Sequence, residues 1–187
     1  MNDTLLLLKH FIKSPKEVGA ISPSSSYLQK EILSNVRFKE AKTIVELGPG
    51  LGIITKGIVQ RANKNAKIIC LEINKKFCKE LELKFHDKRL EILEEKAEKL
   101  VSVLKGKGIK KVDYIISGLP FRNFSRRQQL KILGQITKVL SKDGKFVLFQ
   151  YTNGLRETLE EHFTQIKRAF VAFNMPPAFV YTCGRKK

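Results

Sequence analysis

Two stretches of this chain combine residue types that chemistry uses with the spacing it needs. The first is Thr43–Gly52, TIVELGPGLG, where Glu46 precedes glycines at 48, 50 and 52 and Pro49 lies between the first two. A β-branched run, a glycine turn and the helix-compatible Ile53–Lys56 make a strand, turn and helix start in about ten residues. Glycines there permit positive φ and let a ligand approach the backbone without a Cβ in the way. A bare βα turn uses the same residues, so the acids beside it matter. Glu46 stands before the first glycine, and Glu72, followed by Ile73, lies twenty residues beyond the last. The second stretch is Ser117-Gly118-Leu119-Pro120-Phe121, a carbonyl-rich turn with an aromatic ring at the end of another apolar run.

No Gly-Lys-Ser/Thr follows the glycines, which argues against a phosphate-cradling P-loop. An acid ending the second strand can accept both hydroxyls of a ribose. The pair therefore suits a nucleoside ligand without a pyrophosphate, and S-adenosyl-L-methionine is one. Gly48–Gly52 would leave room for its amino-acid and ribose portions while Glu72 holds the ribose. The rival reading of Glu72 is a surface carboxylate at a strand end. His10, His86 and His162 fall on expected helices away from strand ends and read as surface residues. The three cysteines form no CxxC pair, so neither disulfide nor metal is expected, and the setting reads as reducing and cytoplasmic. Cys70, inside an apolar run, reads as a small core residue.

Those residues need a scaffold, and the pattern supplies one. From Thr43 onward strands and helices alternate. Strands are expected at 43–47, 67–72, 90–93, 112–117 and 145–151, and helices at 51–62, 75–85, 97–104, 126–140 and 155–163. Such alternation means an α/β fold with a mostly parallel sheet covered on both faces. Two further strands, 165–173 and 178–183, flank Asn174-Met175-Pro176-Pro177 and suggest an antiparallel hairpin at one edge. Upstream, Ser24 or Ser25 is placed to cap a helix over Tyr27–Val36. With 187 residues and neither repeat nor linker, one domain is expected, residues 1–38 forming an N-terminal cap and 39–187 the core.

Thirty-six Lys and Arg against eighteen Asp and Glu leave a net charge of +18, which attracts nucleic acid or an anionic membrane surface. A generally basic proteome would give the same excess. Thr4–Lys16 places Leu5, Leu8 and Phe11 on one helical face with Lys9 and Lys13 largely off it, the pattern of a helix lying in a membrane interface or packed on the domain. Leu5–Leu8 is too short for a span or a signal peptide.

The E-x-G-x-G-x-G spacing of Glu46–Gly52 resembles the first motif of the class I S-adenosylmethionine-dependent methyltransferases. That likeness, covering Thr43 through Cys183, implies a three-layer Rossmann-like fold of seven strands with an antiparallel last strand. It also implies that Ser117–Phe121 is the fourth motif, which offers carbonyls and an aromatic face to the amine being methylated. GLPFRNFS is similar to the form used by rRNA adenine dimethyltransferases. Ser117-Gly118-Leu119-Pro120 is closer to that of the bacterial phospholipid N-methyltransferases. The flanks, Pro15…Val18-Gly19-Ala20-Ile21-Ser22-Pro23-Ser24-Ser25 and Asn174-Met175-Pro176-Pro177-Ala178, also resemble the latter family, as does Phe149-Gln150-Tyr151-Thr152. The resemblance implies an enzyme that methylates a phospholipid headgroup amine, phosphatidylethanolamine first, while peripherally bound to the inner face of the membrane. An rRNA adenine methyltransferase and a non-catalytic basic binding module are the alternatives. The implied cofactor set is Ser24, Ser25, Glu46, Gly48, Pro49, Gly50, Gly52, Glu72, Ile73, Ala97, Glu98 and Ser117. The implied acceptor set is Tyr27, Ser117, Leu119, Pro120, Phe121 and Tyr151. One departure stands out: Lys96 occupies the place of the family's adenine-side Asp, so Glu95 or Glu98 would take over that contact.

Overall fold

Strands form where β-branched and aromatic residues run together: β1 (Thr43–Leu47), β2 (Lys67–Glu72), β3 (Leu90–Glu94), β4 (Val112–Ser117), β5 (Leu140–Gln150), β6 (Gln165–Val171) and β7 (Ala178–Gly184). They pair in the order β3-β2-β1-β4-β5-β7-β6 in a computed structural model that describes residues 23–185. β1 to β5 are mutually parallel, and β7 runs antiparallel to both β5 and β6. The reversed last strand and the α/β class agree with expectation. β1 is buried along its whole length, as a central strand between two helical layers must be.

Helices α1 (Pro23–Ser34) and α2 (Ile53–Arg61) cover one face, where Leu28, Ile32, Leu33 and Ile58 pack on Ile44, Ile68, Ile116, Val147 and Val180. Helices α4 (Leu100–Gly106), α5 (Arg126–Val139) and α6 (Arg156–Glu160) cover the other, where Leu100, Leu133, Ile136 and Leu159 meet Val45, Leu71, Ile115 and Phe146. Helix α3 (Lys75–Lys84) packs on β2 and β3. Each fully buried aliphatic side chain is worth about 2 kcal/mol, so the sheet and its two covers account for most of the apolar stabilisation.

Polar clamps fix the edges. The Asp113 carboxylate accepts the Lys42 and Thr43 N–H groups at 2.8 and 3.0 Å, tying the start of β4 to that of β1. Arg89 donates to the Val59, Ala62 and Asn63 carbonyls at the end of α2 while Asp87 holds its guanidinium.

Several boundaries move from expectation. Helix α1 spans Pro23–Ser34, so Ser24 and Ser25 lie within it and not ahead of it. β5 starts at Leu140, because Leu140 pairs with Val112 across a bulge that absorbs Ser141–Gly144. Ala97–Lys99 forms a separate 3₁₀ turn ahead of α4. His86 is an exposed loop residue and His162 a half-buried one whose Nδ1 has no hydrogen-bond partner among the described residues; neither sits on a helix. Leu5, Leu8, Lys9, His10, Phe11, Lys13 and the Val18–Ser22 segment lie outside the described residues.

Candidate active site

The carboxyl ends of β1, β2 and β4 bring the two chemical stretches together. After Leu47 the chain turns at Gly48, with φ 69°, and its N–H still donates to the Leu71 carbonyl at 2.9 Å. At Gly50, with φ 55°, the N–H donates to Glu72 Oε2 at 3.1 Å, and Glu72 Oε1 accepts the Asn74 N–H at 2.9 Å. A Cβ at Gly50 would meet nothing within 4 Å, so the turn is open there, directly beside the Glu72 carboxylate. Two backbone donors thus hold a nearly buried acid at the rim of an open glycine backbone.

The turn after β4 nests against the first. A Cβ on Gly118 would stand 2.7 Å from the Gly48 carbonyl oxygen, and the Gly118 N–H donates to Leu47 at 2.9 Å. Leu119 covers Gly48 from the other side. Ser117 is buried, and its Oγ accepts the Leu119 N–H at 3.2 Å, so the hydroxyl shapes the turn and faces no open space. The Leu119 carbonyl accepts both the Phe121 N–H at 2.9 Å and Gln150 Nε2 at 3.0 Å; the Pro120 carbonyl accepts the Asn123 N–H. Phe121 corrects the expectation of an aromatic face toward an amine. Its ring is 0% exposed and packs edge-on against Phe124 and Phe146 in the core. Gln129 Nε2 holds the Phe121 and Phe124 carbonyls, fixing the turn to α5.

Glu46 also differs from expectation. Its carboxylate is 1% exposed and lies beneath α2, accepting Thr55 Oγ1 at 2.7 Å and Cys70 Sγ at 3.5 Å. Cys70 is its register partner on β2, so both side chains face α2. Burial pushes the Glu46 carboxyl up to about 7, with the Glu72 charge adding to the rise and the two hydrogen bonds opposing it. Glu46 therefore acts on the turn from below, through structure and field.

On the β3 side, the Ala97 methyl is buried in the core, and its carbonyl accepts the Leu100 N–H. Glu95 is engaged by the Lys96 N–H and by Lys99 Nζ at 3.0 and 2.9 Å, and the Lys96 bond, then Lys99, holds its carboxyl below the usual range. Glu98 is half-buried, and Ile73, just after β2, is 57% exposed. Tyr151 follows Gln150 directly and contacts Phe149 edge-on at 5.7 Å; burial pushes its phenol up. Tyr27, on α1, packs on Phe173 at 5.6 Å, toward the β6–β7 end of the same sheet edge. The contacts at this end of the sheet bring Gly48, Gly50, Glu72 and Leu119 together, while Phe121, Ala97, Ser117 and Glu46 are buried.

Sequence reasoning missed Gln150 and Asn74 as site residues. Gln150 fastens the β5 end to the β4 turn; the signal was an amide closing an otherwise apolar strand. Asn74 caps α3 through Lys76 and Phe77 and presents its N–H to Glu72. The donor set fits an S-adenosylmethionine-type ligand: an open glycine backbone and, beside it, the preorganised Glu72 carboxylate, an acceptor whose charge favours a cation.

The profile described as "Ribosomal RNA adenine dimethylase" matches residues 24–172. An ornithine lipid N-methyltransferase from Singulisphaera acidiphila is 29% identical over 185 residues, covering 98% of this chain and 96% of that protein. Among solved structures, the Burkholderia thailandensis 1,6-didemethyltoxoflavin-N1-methyltransferase with bound S-adenosylhomocysteine covers 100% of this chain and 87% of its own, with 15% identity and a TM-score of 0.70. The Geobacter metallireducens precorrin-6y C5,15-methyltransferase covers 85% and 88%, with 18% identity and a TM-score of 0.67. Aeropyrum pernix fibrillarin with bound S-adenosyl-L-methionine covers 79% and 68%, with 15% identity and a TM-score of 0.62. At these identities the solved structures speak to the fold alone. The chain is an S-adenosylmethionine-dependent methyltransferase and belongs to the ribosomal RNA adenine dimethylase family.

Proposed function

We propose that this enzyme methylates the headgroup amine of a membrane lipid, phosphatidylethanolamine first, while bound peripherally to an anionic membrane surface from the cytoplasmic side. The observation that carries the reading is the end-to-end similarity to a lipid N-methyltransferase, over 98% of this chain. The basic excess and the amphipathic Thr4–Lys16 segment support it. Among the described residues no helix is long and apolar enough to cross a membrane.

In this reading Gly48, Pro49 and Gly50 bed the cofactor's amino-acid and ribose portions, Glu72 accepts the ribose hydroxyls, and Ile73 and Glu98 flank the adenine. When bound, S-adenosylmethionine supplies a methyl group already activated on a sulfonium. The protein's remaining work is alignment and removal of water. The Gly118 carbonyl accepts an N–H of the acceptor amine, whose lone pair then faces the methyl. Leu119 and Pro120 wall the approach, and the Tyr151 phenol, kept protonated by burial, orients the headgroup. The substrate reaches the site as an ammonium, and its proton leaves through water at the open rim, with no dedicated general base.

Leu5, Leu8, Phe11, Lys9 and Lys13 carry the membrane contact. Changing Leu5, Leu8 and Phe11 together to Ser should remove the protein from sedimenting anionic liposomes while leaving cofactor affinity intact. The deciding experiment is a radiolabelled methyl-transfer assay with phosphatidylethanolamine liposomes, ornithine-lipid liposomes and unmodified rRNA in parallel. Label in lipid is expected; label confined to RNA would overturn the reading in favour of an adenine methyltransferase.

A further inference from the structure

The turn between β6 and β7 has a shape that the methyl-transfer site does not require. Phe173 is 75% exposed and Met175 86% exposed, while Asn174 between them points inward and donates from Nδ2 to the Pro176 carbonyl at 2.7 Å. The buried amide closes the turn on itself, and the two apolar side chains are held outward. Phe170, 59% exposed, contacts Phe179, and Tyr27, 52% exposed, contacts Phe173. Phe170 and Phe173 are three residues apart and flank the turn, which carries Met175 at its tip. Scattered single apolar residues mean nothing on a surface, but a rigid contiguous tip does.

Its position and charge say what it meets. β6 is parallel to β5, and so to β1 and β4, which puts its carboxyl end and this turn on the same sheet edge as Gly50 and Gly118. α1 also begins at this edge, since Tyr27 touches Phe173 and Gln29 reaches the Ile53 carbonyl at the start of α2. From Thr164 to Gly184 the hairpin carries Lys167 and Arg168 on β6 and no acidic residue. Arg168 stands over the Phe179 ring at 5.2 Å. Aromatic and thioether side chains at a tip with cations behind them match the layering of a bilayer surface, acyl boundary beneath anionic headgroups. Stacking on nucleic acid uses ring faces and leaves a methionine tip without a role.

We infer that the β6–β7 turn, with Phe173 and Met175 at its tip and Phe170 and Tyr27 beside it, inserts into an anionic lipid surface and sets the active-site edge against the membrane. This deepens the lipid-methyltransferase reading and rests on it. The turn is a second contact, separate from Leu5, Leu8 and Phe11.

The chain has no tryptophan, so Met175→Trp creates a single tryptophan, selectively excited near the red edge of tyrosine absorption, at the tip. With vesicles of phosphatidylethanolamine and phosphatidylglycerol, its emission should shift to the blue and the protein should partition several-fold more tightly than wild type. With phosphatidylcholine vesicles both effects should shrink. Phe173→Ser with Met175→Ser should weaken partitioning about tenfold or more, with cofactor affinity and methyl transfer to detergent-dispersed lipid unchanged. An unshifted emission on vesicles that do bind the protein would overturn the inference. So would a shift that appears with RNA alone, or with rising protein concentration in the absence of lipid, which would mark a nucleic-acid or self-association surface. If wild type methylates no lipid in either form, the functional reading fails by its own assay, whatever the tryptophan reports.

Discussion

The two turns that meet at the carboxyl edge are built on opposite plans. The glycine turn offers bare backbone backed by charge: Glu72 is held by two N–H groups at its rim, and Glu46 is buried below. The turn after β4 offers little that is charged. Its hydroxyl, its aromatic ring and two of its carbonyls are consumed in holding its own shape. One half is a mould with a field, suited to a cationic ligand of fixed form. The other, in the proposed reading, leaves selectivity to what brings the acceptor to it. The difference says where mutations should act on binding and where on turnover.

The strongest test joins the halves. Gly118→Ala would place a methyl 2.7 Å from the Gly48 carbonyl oxygen, and backbone cannot yield as a side-chain tip can. The two turns must separate by a good part of an ångström, and misplacement on that scale costs roughly a hundredfold in rate. We expect cofactor affinity and methyl transfer to fall together by about two to three orders of magnitude, with the melting temperature only modestly lowered. Calorimetry and single-turnover transfer would show it, and near-normal values for both would mean the turns do not share one site.

The charge below the glycine turn is tested by pH. Glu46 sits at about 7 in the folded chain against roughly 4.3 unfolded, so between those values the folded state holds a proton that the unfolded state releases. Its stabilising contribution is full below about pH 4 and is lost as pH rises through 7, about 3 kcal/mol in all. Glu46→Gln should remove that slope, gaining on wild type by about 3 kcal/mol between pH 5 and 8 in urea denaturation. Parallel curves for the two proteins would place the ionised carboxylate in a better-solvated position than beneath α2.

What could be read from sequence follows the same division. The cofactor half is local: ten residues of strand and glycine, with an acid closing the next strand, suffice to specify it, and the alternation of elements specifies the sheet. Glu46 was legible as an acid in the motif but not as a buried one, because its fate depends on Thr55 from α2 and Cys70 from β2 meeting over it. The resemblance implied that Phe121 offers its ring to the amine, but nothing in GLPF tells which face of the turn the core occupies; Phe124 and Phe146 decide that from elsewhere in the chain. Gln150 reaches the Leu119 carbonyl from 31 residues away, a contact that only strand order creates.

Within the cofactor half, Glu72 separates charge from hydrogen bonding. Glu72→Gln keeps one carbonyl oxygen for a backbone donor but gives up the anion and the second acceptor. Hydrogen bonds to a charged group are worth about 1.5–3 kcal/mol, so cofactor affinity should drop about 10- to 100-fold. Turnover at saturating cofactor should stay within a few-fold, because the acceptor side is untouched. A loss of turnover equal to the loss of affinity would show that Glu72 acts on the reacting centre.

The smallest effect is reserved for the acceptor half. Desolvation raises the Tyr151 phenol above its usual value, which favours the neutral form, so at working pH it donates and does not take up a proton. Tyr151→Phe should therefore cost a few-fold in kcat, the loss of one orienting hydrogen bond, and leave the shape of the pH–rate profile unchanged. A general base would behave otherwise: its removal costs about a hundredfold or more and erases a limb of the profile. A profile that loses its alkaline or acidic limb in the Phe variant would make Tyr151 the proton acceptor and would give the acceptor half a chemical group of its own.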